Sequence, residues 1–220
     1  MTSRNLAAAM NIANKLTLSR IAVIPFFMFA LLFNRLSGDL TYIAIARYVA
    51  LLLFIGASVT DYIDGLVARR LNLESKLGRL LDPLADKLLI TAAFVSFVDL
   101  QIFPAWIVIV ILCREFIVTG LRSLGSAQGR IIHADRWGKH KTLSQVLTVI
   151  ATLLFLCGHD TLMLSGQWDS IIVKGWGLDW WLDLVLKILL YICAFFTVFS
   201  GSIYLLKNRD LLSDETRKLI

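Results

Sequence analysis

Charge is scarce in this chain. Asp, Glu, Lys and Arg make up 17% of its 220 residues, 58% are hydrophobic, and the mean hydropathy is +0.74. A water-soluble domain of this length carries more charge, so a single aqueous core is excluded and long apolar runs point to membrane spans. Cysteine is scarcer still. Cys113, Cys157 and Cys193 are the only three, each in an apolar stretch, which argues against a disulfide or metal framework and leaves small buried hydrophobes. The three histidines, His133, His140 and His159, show no ligand spacing and read as loop residues. Internal repeats and low-complexity tracts are missing. The start, MTSRNLAAAMNIANKL, lacks the apolar core and cleavage site of a secretory signal. The length accords with one domain over residues 1–220.

What is present is a series of six apolar segments, each near the length that crosses a bilayer as a helix. They run approximately over Leu16–Phe33, Tyr42–Val67, Leu80–Val98, Ala105–Thr119, Leu143–Cys157 and Leu184–Leu205. Asn5–Asn14, short and mixed, reads as an amphipathic helix on the membrane surface. The expected fold is therefore all-α: a polytopic membrane protein with six transmembrane helices and an N-terminal interfacial helix.

The net charge of +6 raises nucleic acid as a partner, but the distribution of Lys and Arg argues against it. Arg69, Arg70, Lys76 and Arg79 follow the second span. Arg122, Arg130, Arg136, Lys139 and Lys141 follow the fourth, and Lys207, Arg209, Arg217 and Lys218 the sixth. The alternate connections hold only Arg35 and Lys174. The positive-inside rule then places both termini in the cytosol, and the basic charge is a topology signal with a role toward anionic lipid. The outer connection Gly158–Asp183 carries Trp168, Trp176, Trp180 and Trp181, which read as interfacial anchors.

Four carboxylates break the apolar pattern. A charge at the centre of a span costs about 2.5–3.5 kcal/mol on insertion scales, so it needs a reason. Asp61 precedes Arg69 by eight residues, about 12 Å along a helix, and Asp86 follows Arg79 by seven, about 10 Å. The two ends of the set thus reach similar depth on consecutive helices. Asp61 and Asp64 are three apart, Asp82 and Asp86 four apart, and both spacings share a helical face. Four close anions cannot all stay ionised without cations. An all-oxygen donor set favours Mg²⁺ or Mn²⁺ over zinc, and four carboxylates can serve two such ions. The plainer alternative is that these Asp residues pair with Arg69, Arg79 or Lys87 and stabilise packing. Gly65 and Gly78 let a ligand approach the backbone or, equally, let helices pack closely. Pro83 disfavours regular helix at Asp82, so a kink or a fresh helix start is expected there.

The stretch DYIDGLVARRLNLESKLGRLLDPLAD resembles the signature of the CDP-alcohol phosphatidyltransferases. Asp61, Asp64, Gly65, Ala68, Arg69, Gly78, Asp82 and Asp86 match it with every spacing kept, eight positions over 26 residues. NIANKLTLSR, CREFIVTGLRSL and WGKHKT are similar to segments of the phosphatidylglycerophosphate subgroup, so the likeness reaches to about Thr142. Ala13 departs from it, standing where that subgroup commonly has proline. The resemblance implies a six-helix fold, a homodimer, and a site open to the cytoplasm of a bacterial-type cell membrane. It implies that Asp61, Asp64, Asp82 and Asp86 are metal ligands and that Asp86 is also the general base. Gly65, Ala68, Arg69 and Gly78 contact the CDP part of CDP-diacylglycerol on this reading, and Thr60 helps to position phosphate.

The family's acceptors differ among its members, and the subgroup resemblance selects glycerol 3-phosphate, with inositol phosphate or serine as alternatives. An anionic acceptor needs cations. Arg114 lies eight residues before Arg122, about 12 Å deeper on a regular helix. It either faces an aqueous cavity or pairs with a carboxylate such as Glu115 reached across helices. Arg122, Lys139 and Lys141 are expected near the cytosolic mouth, either for the acceptor phosphate or for topology and headgroups. Thr17 and Arg20 border the site. Two other classes compete. A divalent-cation transporter would need acidic groups continuing through the membrane, and a structural membrane partner gives no reason for the aligned Asp residues.

Overall fold

The computed structural model describes residues 19–71, 76–127, 136–167, 172–173 and 176–207. Within them, residues 61–71, 76–86, 124, 126–127, 136–140, 172–173, 176 and 179 are described by backbone alone. The surface helix expected at Asn5–Asn14 lies outside the described residues, as do Thr17, His133, Trp168 and Lys174.

Six helices make up the described fold: α1 (Ser19–Leu31), α2 (Leu40–Leu71), α3 (Lys76–Asp99), α4 (Ala105–Ala127), α5 (Arg136–Leu164) and α6 (Leu178–Lys207). A single 3₁₀ turn at Phe33–Arg35 follows α1. Between α5 and α6, β1 (Ile172–Val173) pairs antiparallel with β2 (Trp176–Gly177). The all-α membrane class holds. Leu40–Thr60, Lys141–Leu164 and Trp180–Lys207 are each long and apolar enough to cross a membrane, and α1 is a shorter apolar helix. α4 has 23 residues, but Arg114, Glu115 and Arg122 interrupt its apolar character.

The helix ends follow local chemistry. Asp39 caps α2, its Oδ1 accepting from the Thr41 backbone N–H at 2.8 Å. At the end of α3, Ile102 N–H reaches the Phe97 carbonyl at 3.0 Å and Gln101 N–H the Val98 carbonyl at 2.9 Å. This Schellman closure needs a left-handed residue, here Gln101 at φ 60°. α5 closes the same way through Gly166 at φ 68°, a conformation glycine adopts without strain.

α5 is the centre of the packing, lying against α2, α3 and α6, while α4 lies against α6 and α3. Phe27, Phe54, Phe94, Phe97, Ile107 and Leu153 are fully enclosed, and Phe27 and Phe54 join α1 to α2 with ring centres 5.8 Å apart. Ala30, Ala50, Ala57 and Ala93 let helices approach closely. Large apolar side chains also cover the outside, among them Phe26, Leu52, Trp106, Phe116, Leu147 and Phe195. In water such a surface would aggregate; in a bilayer it faces lipid.

Three readings change. α3 runs unbroken through Asp82 and Pro83, so no fresh helix starts at Asp82; Pro83 removes one N–H from a helix that neighbouring turns keep in register. His140 and His159 are helical rather than loop residues, because α5 extends beyond the apolar run at both ends. The outer connection is correspondingly shorter than Gly158–Asp183, and Trp180 and Trp181 open α6 with their rings edge to face at 4.8 Å.

Candidate functional site

The signature divides between two helices. Asp61, Asp64, Gly65, Ala68 and Arg69 are in the C-terminal part of α2, and Gly78, Asp82 and Asp86 in the N-terminal part of α3. The backbone is helical at all eight positions, so each Asp pair keeps the i,i+3 or i,i+4 spacing of one face. Their side chains lie outside the described residues. Among the described side chains, no group of three or more His, Cys, Asp or Glu could hold a metal ion.

Beside this region is a small cavity of about 250 Å³ between α1 and α2, lined by Ser19, Arg20, Leu53, Gly56, Ala57 and Thr60. Arg20 is buried. Thr60 Oγ1 donates to the Gly56 carbonyl at 2.7 Å, a back-bond that lets a hydroxyl sit in an apolar helix. Arg20 and Thr60 thus line one cavity immediately before Asp61.

The second polar region joins α4, α5 and α6. Glu115 on α4 is buried. Its carboxylate accepts from Lys141 Nζ on α5 and, at 3.1 Å, from Gln145 Nε2 on the same helix. Arg114 Nη1 lies 3.5 Å from the same carboxylate oxygen, and Arg114 Nη2 donates to Ser200 Oγ on α6 at 2.7 Å. Gly201 makes room for that guanidinium: a Cβ there would stand 2.6 Å from Arg114 Cγ. From α3, Lys87 Nζ bonds Thr119 Oγ1, whose hydroxyl donates to the Glu115 backbone carbonyl at 2.7 Å. Lys87 directly follows Asp86, so α3 links the signature to this cluster.

Of the expected acceptor cations, Arg114 and Lys141 meet. Arg114 contacts Glu115, its neighbour on the same helix, as well as Ser200. Lys141 is an interior residue, 6% exposed, rather than a group at the mouth, because its long side chain reaches inward to Glu115. Arg122 is exposed and lies over the Tyr204 ring, 5.9 Å from its centre. Lys139 is on α5, with its side chain outside the described residues. Glu115, Gln145, Ser200, Gly201 and Lys87 were not picked out as acceptor-site groups from the pattern. The signal available was polarity inside apolar runs, which Glu115, Gln145 and Ser200 all show.

A second ion pair sits at the other end of α5. Arg47 Nη1 on α2 meets Asp160 Oδ1 at 2.6 Å, with the two side chains 11% and 1% exposed. His159 Nδ1 lies 3.2 Å from the same oxygen.

The family model for CDP-alcohol phosphatidyltransferase matches residues 10–199. A protein of Bacillus subtilis (strain 168) named CDP-diacylglycerol–glycerol-3-phosphate 3-phosphatidyltransferase is 40% identical over 206 residues, covering 92% of this chain and 97% of that protein. One of the same name from Rickettsia felis is 33% identical over 194 residues, covering 88% and 93%. With the signature unbroken on α2 and α3 and the match running into α6, the chain belongs to the CDP-alcohol phosphatidyltransferase family.

Proposed function

We propose that this membrane protein transfers the phosphatidyl group of CDP-diacylglycerol to glycerol 3-phosphate, giving phosphatidylglycerophosphate and CMP. The observation that carries the reading is the 40% identity over nearly the full length of both chains to a relative named for that reaction. The complete signature supports it.

Asp61, Asp64, Asp82 and Asp86 would hold two Mg²⁺ or Mn²⁺ ions. The donor set fits: four carboxylates at same-face spacing on consecutive helices match the hard-oxygen preference of these cations. When bound, the ions supply charge neutralisation on the pyrophosphate. Gly65, Ala68, Arg69 and Gly78 bind the CDP part, and Arg20 and Thr60 border it from the α1–α2 cavity. Asp86 accepts the proton of the acceptor hydroxyl. The freed oxygen forms a bond to the phosphorus carrying diacylglycerol, the bond from that phosphorus to the CMP oxygen breaks, and CMP leaves with the electron pair. Arg114, Arg122, Lys139 and Lys141 are the cations available for the acceptor phosphate. Six spans, a cytoplasmic site and a homodimer complete the reading. The alternation of connections rich and poor in Lys and Arg supports the orientation.

The test is CMP release by purified protein with CDP-diacylglycerol and Mg²⁺, offering glycerol 3-phosphate, serine or inositol phosphate in turn. Release is expected with glycerol 3-phosphate only, and Asp86→Asn is expected to abolish it. Release with serine or inositol phosphate in its place refutes the acceptor assignment. Absence of release with every acceptor, from protein that unfolds cooperatively, refutes the transferase reading.

A further inference from the structure

We propose that Glu115 is the positioning residue of the acceptor site, holding Lys141 and Arg114 from different helices so that their surplus positive charge is presented to a phosphate monoester. The inference rests on the transferase reading and deepens it.

Four observations converge. Glu115 is a buried carboxylate in an apolar helix, a position that costs free energy unless its partners are in place. Its partners are two cations, Lys141 from α5 and Arg114 beside it on α4. Among the described side chains, two cations on one carboxylate leave one positive charge over, where an ion pair serving packing alone balances. Glu115 and Arg114 are each tied down a second time. Gln145 donates to the Glu115 carboxylate at 3.1 Å and is 2% exposed, and Ser200 accepts from Arg114 at 2.7 Å. Arg114 Nε–H is enclosed and meets no acceptor among the described residues, so the protein does not fully satisfy this guanidinium.

Location agrees. Thr119, one turn beyond Glu115, bonds both the Glu115 carbonyl and Lys87 of α3. Lys87 follows Asp86, the residue assigned to take the acceptor proton. An acceptor held at its phosphate by this cluster therefore has its hydroxyl end near the α3 segment that carries the base.

Two effects of neutralising Glu115 oppose each other, and the sign of the change separates them. Removing the negative charge by itself strengthens attraction for phosphate. Losing the anchor frees Lys141 and Arg114 from the geometry that binds it. Positioning predicts weaker binding.

The experiment measures KM for glycerol 3-phosphate and for CDP-diacylglycerol separately, by CMP release from full-length protein in lipid nanodiscs. Glu115→Gln is expected to raise KM for glycerol 3-phosphate about tenfold, the equivalent of one charge-assisted hydrogen bond, and to leave KM for the donor lipid within about twofold. Glu115→Asp restores most of the affinity. A Glu115→Gln protein with unchanged or lowered KM for glycerol 3-phosphate, or with both KM values raised together, overturns the proposal. Should Glu115→Gln not fold, Gln145→Leu decides: it replaces one orienting bond with a group of similar size, and a selective rise of about threefold in the acceptor KM is expected. No rise overturns the proposal. Should the wild-type protein take another phosphate monoester, the same split is read with that acceptor. A wild-type protein that takes only serine refutes the acceptor reading and this inference with it, whereas a selective loss confined to the variants supports both.

Discussion

Replacing Gly201 by alanine tests whether Arg114 is held where the acceptor site needs it. A Cβ at Gly201 would stand 2.6 Å from Arg114 Cγ, 3.1 Å from Nε and 3.4 Å from Cδ. Ordinary carbon contacts are about 3.5–4.0 Å, so roughly 1 Å of movement is forced. The crowded atom is Cγ, near the root of the side chain, and moving it carries the whole guanidinium. The 2.7 Å bond to Ser200 does not survive such a shift. Helix propensity works the other way, favouring alanine over glycine by about 0.8–1.0 kcal/mol, so a net fall in stability measures a steric cost above that. For function, losing one charge-assisted bond from Arg114 to phosphate, about 1.5–3 kcal/mol, corresponds to roughly a 10- to 150-fold rise in KM. The assay is CMP release with glycerol 3-phosphate varied at saturating CDP-diacylglycerol, alongside the thermal midpoint in detergent. A Gly201→Ala protein with an unchanged acceptor KM and an unchanged midpoint would refute both the close approach and the role given to Arg114.

Three further outcomes are expected. Chelation of divalent cations should abolish CMP release, with recovery on adding Mg²⁺ or Mn²⁺ and none with Ca²⁺ alone, whose coordination is larger and looser; release that persists in chelator refutes the metal assignment. Arg47→Ala should destabilise the fold by about 3–5 kcal/mol by stranding the Asp160 carboxylate, and the Arg47→Met, Asp160→Leu pair should recover most of it; the exposed Arg35–Asp99 pair should be worth no more than about 1 kcal/mol, and thermal unfolding of the variants distinguishes them. With the native cysteines replaced, a membrane-impermeant maleimide should label Asp39→Cys and Ser165→Cys from outside intact cells and Lys207→Cys only after permeabilisation; the opposite pattern reverses the orientation.

The helices and the Asp pairs were legible because both rest on local pattern. A carboxylate inside an apolar run stands out, and same-face spacing needs only helical geometry. What the pattern could not supply was which helices meet. Glu115 and Lys141 are on different helices, and nothing in either segment specifies that α4 and α5 bring them together. Lys141 consequently read as a mouth residue, one of a basic run after the fourth span. Asp160 and His159 looked like loop polarity for the same reason: the apolar run ends near Cys157, and the partner that lets the helix continue is Arg47, 113 residues away. Pro83 misled in the other direction. Its local preference favours a helix start, yet α3 carries it within a continuous helix, as tertiary packing can override one missing N–H. The Trp-rich connection was half legible, since Trp180 and Trp181 do stand at a helix end, but the turns before them depend on pairing between β1 and β2.

The two ionic groups on α5 separate structure from function by charge balance. Lys141 and Asp160 are 19 residues apart on that helix, about 28 Å, close to the thickness of a bilayer's hydrocarbon core of about 30 Å. At the Asp160 end the charges cancel: one guanidinium meets one carboxylate at 2.6 Å, and both are nearly enclosed. Such a pair holds α2 to α5. At the Lys141 end two cations share Glu115, so the described side chains there carry one positive charge more than negative, where charge is costly to bury. Packing alone would select the balanced arrangement, as it has at Asp160. The imbalance is accounted for when an anion completes it, and the transferase reading supplies one, an acceptor phosphate that arrives with the substrate and leaves with the product.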